Sequence, residues 1–235
     1  MSERCALVTG CSKGLGRSFV LLLKAQGYRV IGISRSKFSS LDDDLKDSLD
    51  EYVELDLSDR SAVNEFLKGS LKINCLVLNA SSRSFQEFNT FSDKEICNAM
   101  DGDFTNQLRI LRACLDYMTQ ENFGQIVIIS SRSAVSSYST GSLYCSVKSA
   151  WRSLYFSLLK EFKDSGIKFF LFVPDAFSNG RGHELRGYSF VMKRLNVLVK
   201  SLHEGKESKV FMALTFTSRI RLMMYRVLIF LRHAF

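Results

Sequence analysis

Apolar residues recur along this chain in two rhythms. Short unbroken runs come first: Arg4–Thr9, Tyr28–Ile33, Tyr52–Leu55, Ile73–Leu78, Ile126–Ile129, Ile167–Val173 and Lys209–Leu214. Runs of this length, bounded by polar or glycine residues, predict strands buried on both faces. Between them lie longer stretches with helical spacing. Arg17–Gln26 carries Phe19, Leu22 and Leu23 on one face. Asp42–Asp50 reads as a short acidic helix, and a helix capped by Ser58 or Asp59 ends near Lys68. Ser92-Asp-Lys-Glu95 is a capping-box pattern, predicting a long helix to about Met118 with a bend near Gly102. Another helix carries Tyr144 and Lys148, and Ser189–His203 is also helical. Strands alternating with helices predict right-handed crossovers and an α/β, doubly wound, mostly parallel seven-stranded sheet covered on both faces.

The 235 residues are 46% hydrophobic, enough for one substantial core and one domain over residues 1–235. The net charge of +8 is concentrated locally. After Glu207 no acid remains, while Lys209, Arg219, Arg221, Arg226 and Arg232 follow. That distribution argues against a diffuse nucleic-acid surface. The six cysteines form no Cys-x-x-Cys pair, so no metal site is expected and a reducing, cytoplasmic setting fits. Cys145, beside Tyr144, has no histidine partner and reads as structural. Met1 leads almost directly into the first strand, so no secretory leader is expected.

Two places carry chemistry. In the first, Gly10, Gly14 and Gly16 stand between the opening strand and the first helix, with Ser12, Lys13 and Leu15 among them. Glycines there permit a tight turn and close approach of a pyrophosphate to a helix N-terminus. About 20 residues further on, a carboxylate would bind a ribose 2′-hydroxyl and an arginine a 2′-phosphate. Ser34-Arg35-Ser36 holds that place. With Lys13 this favours NADP(H); the alternative is two solvated cations.

The second place is the run from Gln125 to Ala150. Tyr144 and Lys148, at i and i+4, share a helix face. A nearby ammonium favours phenolate, so Lys148 is expected to lower the Tyr144 pKa and make it an acid/base for a carbonyl or alcohol. Ser131, at a strand's carboxyl end, can hold the same oxygen. The spacing also arises by chance on helix surfaces.

Taken in order, these motifs resemble the short-chain dehydrogenase/reductase family. The likeness runs from about Cys5 to Asn179: Thr9-Gly10-x-x-x-Gly14-x-Gly16, Asp56-Leu57, Asn79-Ala80-Ser81, Ser131, Tyr144-x-x-x-Lys148 and Pro174. It implies a Rossmann sheet and hydride transfer between NAD(P)(H) and a small carbonyl substrate. It also implies Tyr144 as acid/base, Ser131 as its partner, Lys148 at the nicotinamide ribose, Asp56 at adenine, and Asn79 supporting the cofactor side. Three positions depart. Asp103 stands where the family has a relay asparagine, with Asn106 as a conceivable substitute. Pro174-Asp175 replaces Pro-Gly, with Asn179 at the later threonine, and Ser81 replaces a glycine.

The loop Asp175–Tyr188 is expected over the substrate. Its Arg181, His183 and Arg186, with Arg83 and Arg132, suit an anionic substrate such as a sugar phosphate or carrier-linked oxoacyl group, or are simply surface cations. An NADP-binding redox sensor with little turnover is the alternative function. A long-chain epimerase would need a further substrate domain. A homo-oligomer is expected.

Residues 216–235 form a C-terminal extension. In it Ile220, Met223, Met224, Val227, Leu228 and Leu231 make one apolar helical face flanked by arginines. Such a face docks on protein, its own or a second subunit's, or lies peripherally on an anionic inner membrane surface. It is too short and too interrupted to span one.

Overall fold

The computed structural model describes residues 4–174 and 186–213. Among the described residues seven strands are present: β1 Cys5–Thr9, β2 Arg29–Ser34, β3 Glu51–Glu54, β4 Cys75–Leu78, β5 Gly124–Ile129, β6 Ile167–Pro174 and β7 Lys209–Ala213. All pairings are parallel, in the order β3-β2-β1-β4-β5-β6-β7. The doubly wound sheet expected from the alternating pattern is therefore present. Every strand points its carboxyl end to the same edge, and the order reverses beside β1, the switch point where such sheets open a crevice.

The described α-helices between the strands are α1 Gly14–Ala25, α2 Asp43–Asp47, α3 Arg60–Phe66, α4 Asp93–Met100, α5 Asn106–Gln120, α6 Ser142–Glu161 and α7 Arg186–His203. Strand alternation divides the core. Cys5 and Leu7 of β1 pack with Ile110 and Leu111 of α5 and Val147 and Trp151 of α6. Ala6 and Val8 face Phe19 and Leu23 of α1 and Leu195 and Leu198 of α7. A run buried on both faces must be apolar at every position, hence the unbroken runs.

Local chemistry sets the helix starts. Asp59 caps α3 by accepting from Ser61 N and Ala62 N at 2.8 and 3.0 Å. Ser92 and Glu95 form the capping box of α4, Ser92 N donating to Glu95 Oε2 at 2.9 Å. The bend expected near Gly102 is a π turn over Asp101–Thr105 that joins α4 to α5 without a break. The widened turn leaves two carbonyls for side chains. Gln107 Nε2 donates to Gly102 O and Asp103 O, and Trp151 Nε1 donates to Asp103 O at 2.9 Å. π turns of this kind gather at functional sites.

No described helix is long and apolar enough to cross a membrane. The segment expected to cover the substrate, with Asp175, Asn179, Arg181 and His183, and the C-terminal extension 216–235 lie outside the described residues.

Candidate active site

A cleft of about 570 Å³ opens along the carboxyl edge of the sheet. Its wall holds Gly10, Ser12, Lys13, Gly14 and Leu15 at one side, Arg35, Asp56 and Leu57 beyond β2 and β3, Asn79 and Ala80 after β4, and Asp103, Tyr144, Lys148 and Pro174. Residues as far apart in sequence as Gly10 and Pro174 thus face one volume because parallel strands deliver their ends to one edge.

The glycine turn is fixed from below. Gly10 N and Cys11 N donate to Ile33 O, and Ser12 Oγ receives the hydroxyls of Ser34 and Ser36 at 2.9 and 3.2 Å. Gly10 has φ 66°, and a Cβ there would stand 2.8 Å from Ala80 Cα. A Cβ on Gly16 would come within 2.1 Å of Gly10 O. Gly16 therefore lies behind the wall, where it lets α1 pack against the turn. The N-terminus of α1 has neither a capping side chain nor an acid in its first turn, so its N–H groups and dipole are left for an anion. Lys13 and Arg35 stand exposed on the wall, and the Ser34–Ser36 tip of β2 brings no carboxylate to it. This donor set fits a phosphorylated dinucleotide.

Asn79 braces the β4 end. Its Nδ2 donates to Thr9 O and Gly10 O at 3.0 Å, while Asn79 N and Ala80 N donate to Thr9 Oγ1. Gln107 joins Thr9 at 2.8 Å and Ala80 O at 3.0 Å. Gln107 was not legible as a site residue; a buried glutamine on an otherwise apolar helix face is the signal that could have found it.

Ser131 follows β5 by two residues and caps the short 3-10 turn Arg132–Ala134, accepting from Ser133 N at 3.1 Å. Lys148 is buried, and its Nζ donates to Ile129 O at 3.0 Å. Burial pulls its pKa down to about 8, with the Asp103 charge opposing the fall and Arg83 adding to it. Nζ stands 5.7 Å from the Tyr144 ring centroid. The expected lowering of the Tyr144 pKa is not what this geometry produces. Burial raises it, outweighing the Ser131 hydroxyl and the Arg83 charge, which pull the other way.

Asp103 lies on the cleft wall, and burial raises its pKa against the donors and the Lys148 charge that favour the anion. Its carboxylate accepts from Ser82 N at 2.7 Å, Ser82 Oγ at 3.0 Å and Ser81 Oγ at 3.2 Å. Asn106 is no substitute. It turns away, its Nδ2 donating to Leu57 O at 2.8 Å and its Oδ1 accepting from Arg109.

The family model described as short chain dehydrogenase matches residues 4–186. This chain belongs to the short-chain dehydrogenase family. Among its relatives, the L-xylulose reductase of Mus musculus is 34% identical over 156 residues, covering 64% of this chain. The match spans 62% of that enzyme's length. A short-chain dehydrogenase from Streptomyces avermitilis shares the fold, with TM-score 0.84, 24% identity, and 99% and 95% of the two chains covered. The closed form of serine dehydrogenase complexed with NADP+ aligns with TM-score 0.65 and 25% identity, covering 73% of this chain and 71% of that one.

Proposed function

We propose that this chain is an NADPH-dependent reductase of a small carbonyl compound. One observation carries the reading: Tyr144 and Lys148 line the same cleft as the glycine turn, Lys13 and Arg35. The names of the mouse relative, a reductase, and of the NADP+-bound serine dehydrogenase agree with it.

The α1 N-terminus and the turn Gly10–Gly16 would hold the pyrophosphate, and Lys13 and Arg35 the 2′-phosphate. Asp56 and Leu57 would border the adenine, Asn79 and Ala80 would shape the floor, Lys148 would bond the nicotinamide ribose, and Pro174 would bound the nicotinamide end. When bound, the nucleotide supplies the hydride.

The residues of this chain supply the proton. The Ser131 hydroxyl donates to the substrate carbonyl oxygen and holds it beside Tyr144. A phenol raised by burial keeps its proton at neutral pH. It gives that proton up only to a strong base, the alkoxide oxygen formed as the carbonyl is reduced. Lys148, with a pKa of about 8, is mostly ammonium at neutral pH and stabilises the phenolate left behind. Asp103, occupied by Ser81 and Ser82, holds the neighbouring loop.

The test is NADPH oxidation followed by absorbance against ketones, aldehydes and sugars including L-xylulose, with NADH in parallel. Turnover that Tyr144→Phe abolishes supports the reading. Tight NADPH binding with no turnover on any carbonyl would replace it with the redox-sensor alternative.

A further inference from the structure

Arg83 follows β4 by five residues and stands in the cleft wall. Its backbone is left-handed, with φ 53°. A residue with a side chain stays in that region only where its surroundings hold it there. Here both sides do. Immediately before it, Ser81 and Ser82 are tied to the buried Asp103 carboxylate by three donors. Two residues after it, Phe85 packs edge-on against the Tyr144 ring at 5.3 Å and lies 6.0 Å from Tyr138. The loop is thus pinned from the helix side and from the tyrosine side, with Arg83 between.

Among the described residues three carboxylates line the cleft, Asp56, Glu95 and Asp103. Each is already engaged: Asp56 by Ser58, Glu95 by Ser92, and Asp103 by Ser81 and Ser82. Among the described residues Arg83 has no carboxylate partner. Lys13 and Arg35 are the cleft's cations at the β1 and β2 ends, whereas Arg83 stands at the β4 end and acts on both Tyr144 and Lys148. A guanidinium there would meet a substrate rather than the 2′-phosphate, and its fork suits a carboxylate or phosphate held by two parallel bonds.

We propose that Arg83, set in place by Asp103, binds an anionic group of the substrate close to the carbonyl under reduction, so that α-keto acids or phosphorylated carbonyl compounds are preferred over neutral ones. Arg83 then determines specificity, and Asp103 is a positioning residue. The proposal rests on the carbonyl-reductase reading for its chemistry.

Two substrate pairs test it: benzoylformate against its methyl ester, and dihydroxyacetone phosphate against dihydroxyacetone. The protein is expected to favour the anionic member of at least one pair, and which pair distinguishes carboxylate from phosphate. Arg83→Gln should lower the anionic-to-neutral ratio of kcat/KM about tenfold to a hundredfold, as loss of a charge-assisted pair does, mainly through KM. Asp103→Ala should lower the same ratio, and Asp103→Asn, which keeps the shape and bonding capacity of the clamp, should restore it. No anionic preference in either pair, or a ratio unmoved by Arg83→Gln, overturns the proposal. If no carbonyl compound is turned over, the reductase reading fails separately, and binding decides the rest. Calorimetry then measures benzoylformate and dihydroxyacetone phosphate on NADPH-saturated Tyr144→Phe protein. Binding lost on adding Arg83→Gln sustains the anion site; binding absent or unchanged rejects it.

Discussion

The Ser81 hydroxyl donates to Asp103 Oδ2 across 3.2 Å. These are two of the three places where the chain leaves the short-chain dehydrogenase pattern. They are 22 residues apart in sequence and face each other in space. A glycine at 81 could not make this bond. A hydroxyl there, with Ser82 N and Oγ, gives a buried carboxylate donors that offset part of its desolvation. The two departures therefore form one local unit, which ties the loop after β4 to the π turn between α4 and α5.

Loss of the Tyr144 hydroxyl should abolish turnover and little else. Tyr144→Phe keeps the ring that Phe85 packs on. We expect kcat to fall about a hundredfold to ten-thousandfold, the contribution typical of a positioned acid, with NADPH affinity retained by fluorescence titration. Near-normal turnover would remove Tyr144 from the proton-donor role.

Cofactor choice should be carried by Lys13 and Arg35. Arg35→Asp places a carboxylate where the 2′-phosphate would lie and should weaken NADPH about tenfold or more, the cost of losing a charge-assisted pair. NADH should be affected far less. Titrations showing equal loss for both nucleotides would end the case for NADP preference.

Asp103→Asn should leave the enzyme active and move its pH profile. The Asn Oδ1 can accept from Ser82 N while its amide donates to the Ser81 and Ser82 hydroxyls. What disappears is the negative charge that holds the Lys148 pKa up. Lys148 should then lose its proton below pH 8, shifting the alkaline limb of kcat to lower pH. A limb that stays in place would mean that Lys148 does not govern it.

Stability should fall on the alkaline side. Burial pushes the thiols of Cys11, Cys75 and Cys114 and the phenols of Tyr28 and Tyr155 up to about 12 each. Unfolded, thiols titrate near about 8.5 and phenols near about 10. Above those values the unfolded chain binds fewer protons than the folded one, so stability is lost as pH rises towards 12. Lys148 opposes this: its folded pKa of about 8 lies below the unfolded value, so its contribution improves through that window. One lysine against five acids leaves a net fall. Urea unfolding at pH 7, 9 and 10.5 should show it, and Cys75→Ala should flatten the slope by up to about 1.4 kcal/mol per pH unit. Stability constant to pH 10.5 would contradict the burial of these groups.

The sequence by itself determined the elements and singled out Ser131, Tyr144 and Lys148 as candidates. A parallel strand covered on both faces must be apolar throughout, so the runs at Ile126–Ile129 and Ile167–Val173 announced themselves. Tyr144 and Lys148 could be paired from spacing alone because a helix returns to the same face every four residues. The capping box at Ser92 was equally local. The strand order could not be read from any one run, since buried parallel strands look alike, and only the folded sheet gave it. What only the tertiary structure decided concerns contacts between distant segments. Thr9 with Gln107, 98 residues apart, and Asp103 with Ser82, 21 apart, obey no period. The same holds for electrostatics. Spacing placed a cation near Tyr144 and suggested a lowered pKa. The packed site buries the phenol and aims Lys148 Nζ at Ile129 O, so desolvation wins and the pKa rises. Desolvation depends on everything that surrounds a group in three dimensions, and a linear pattern does not contain that information.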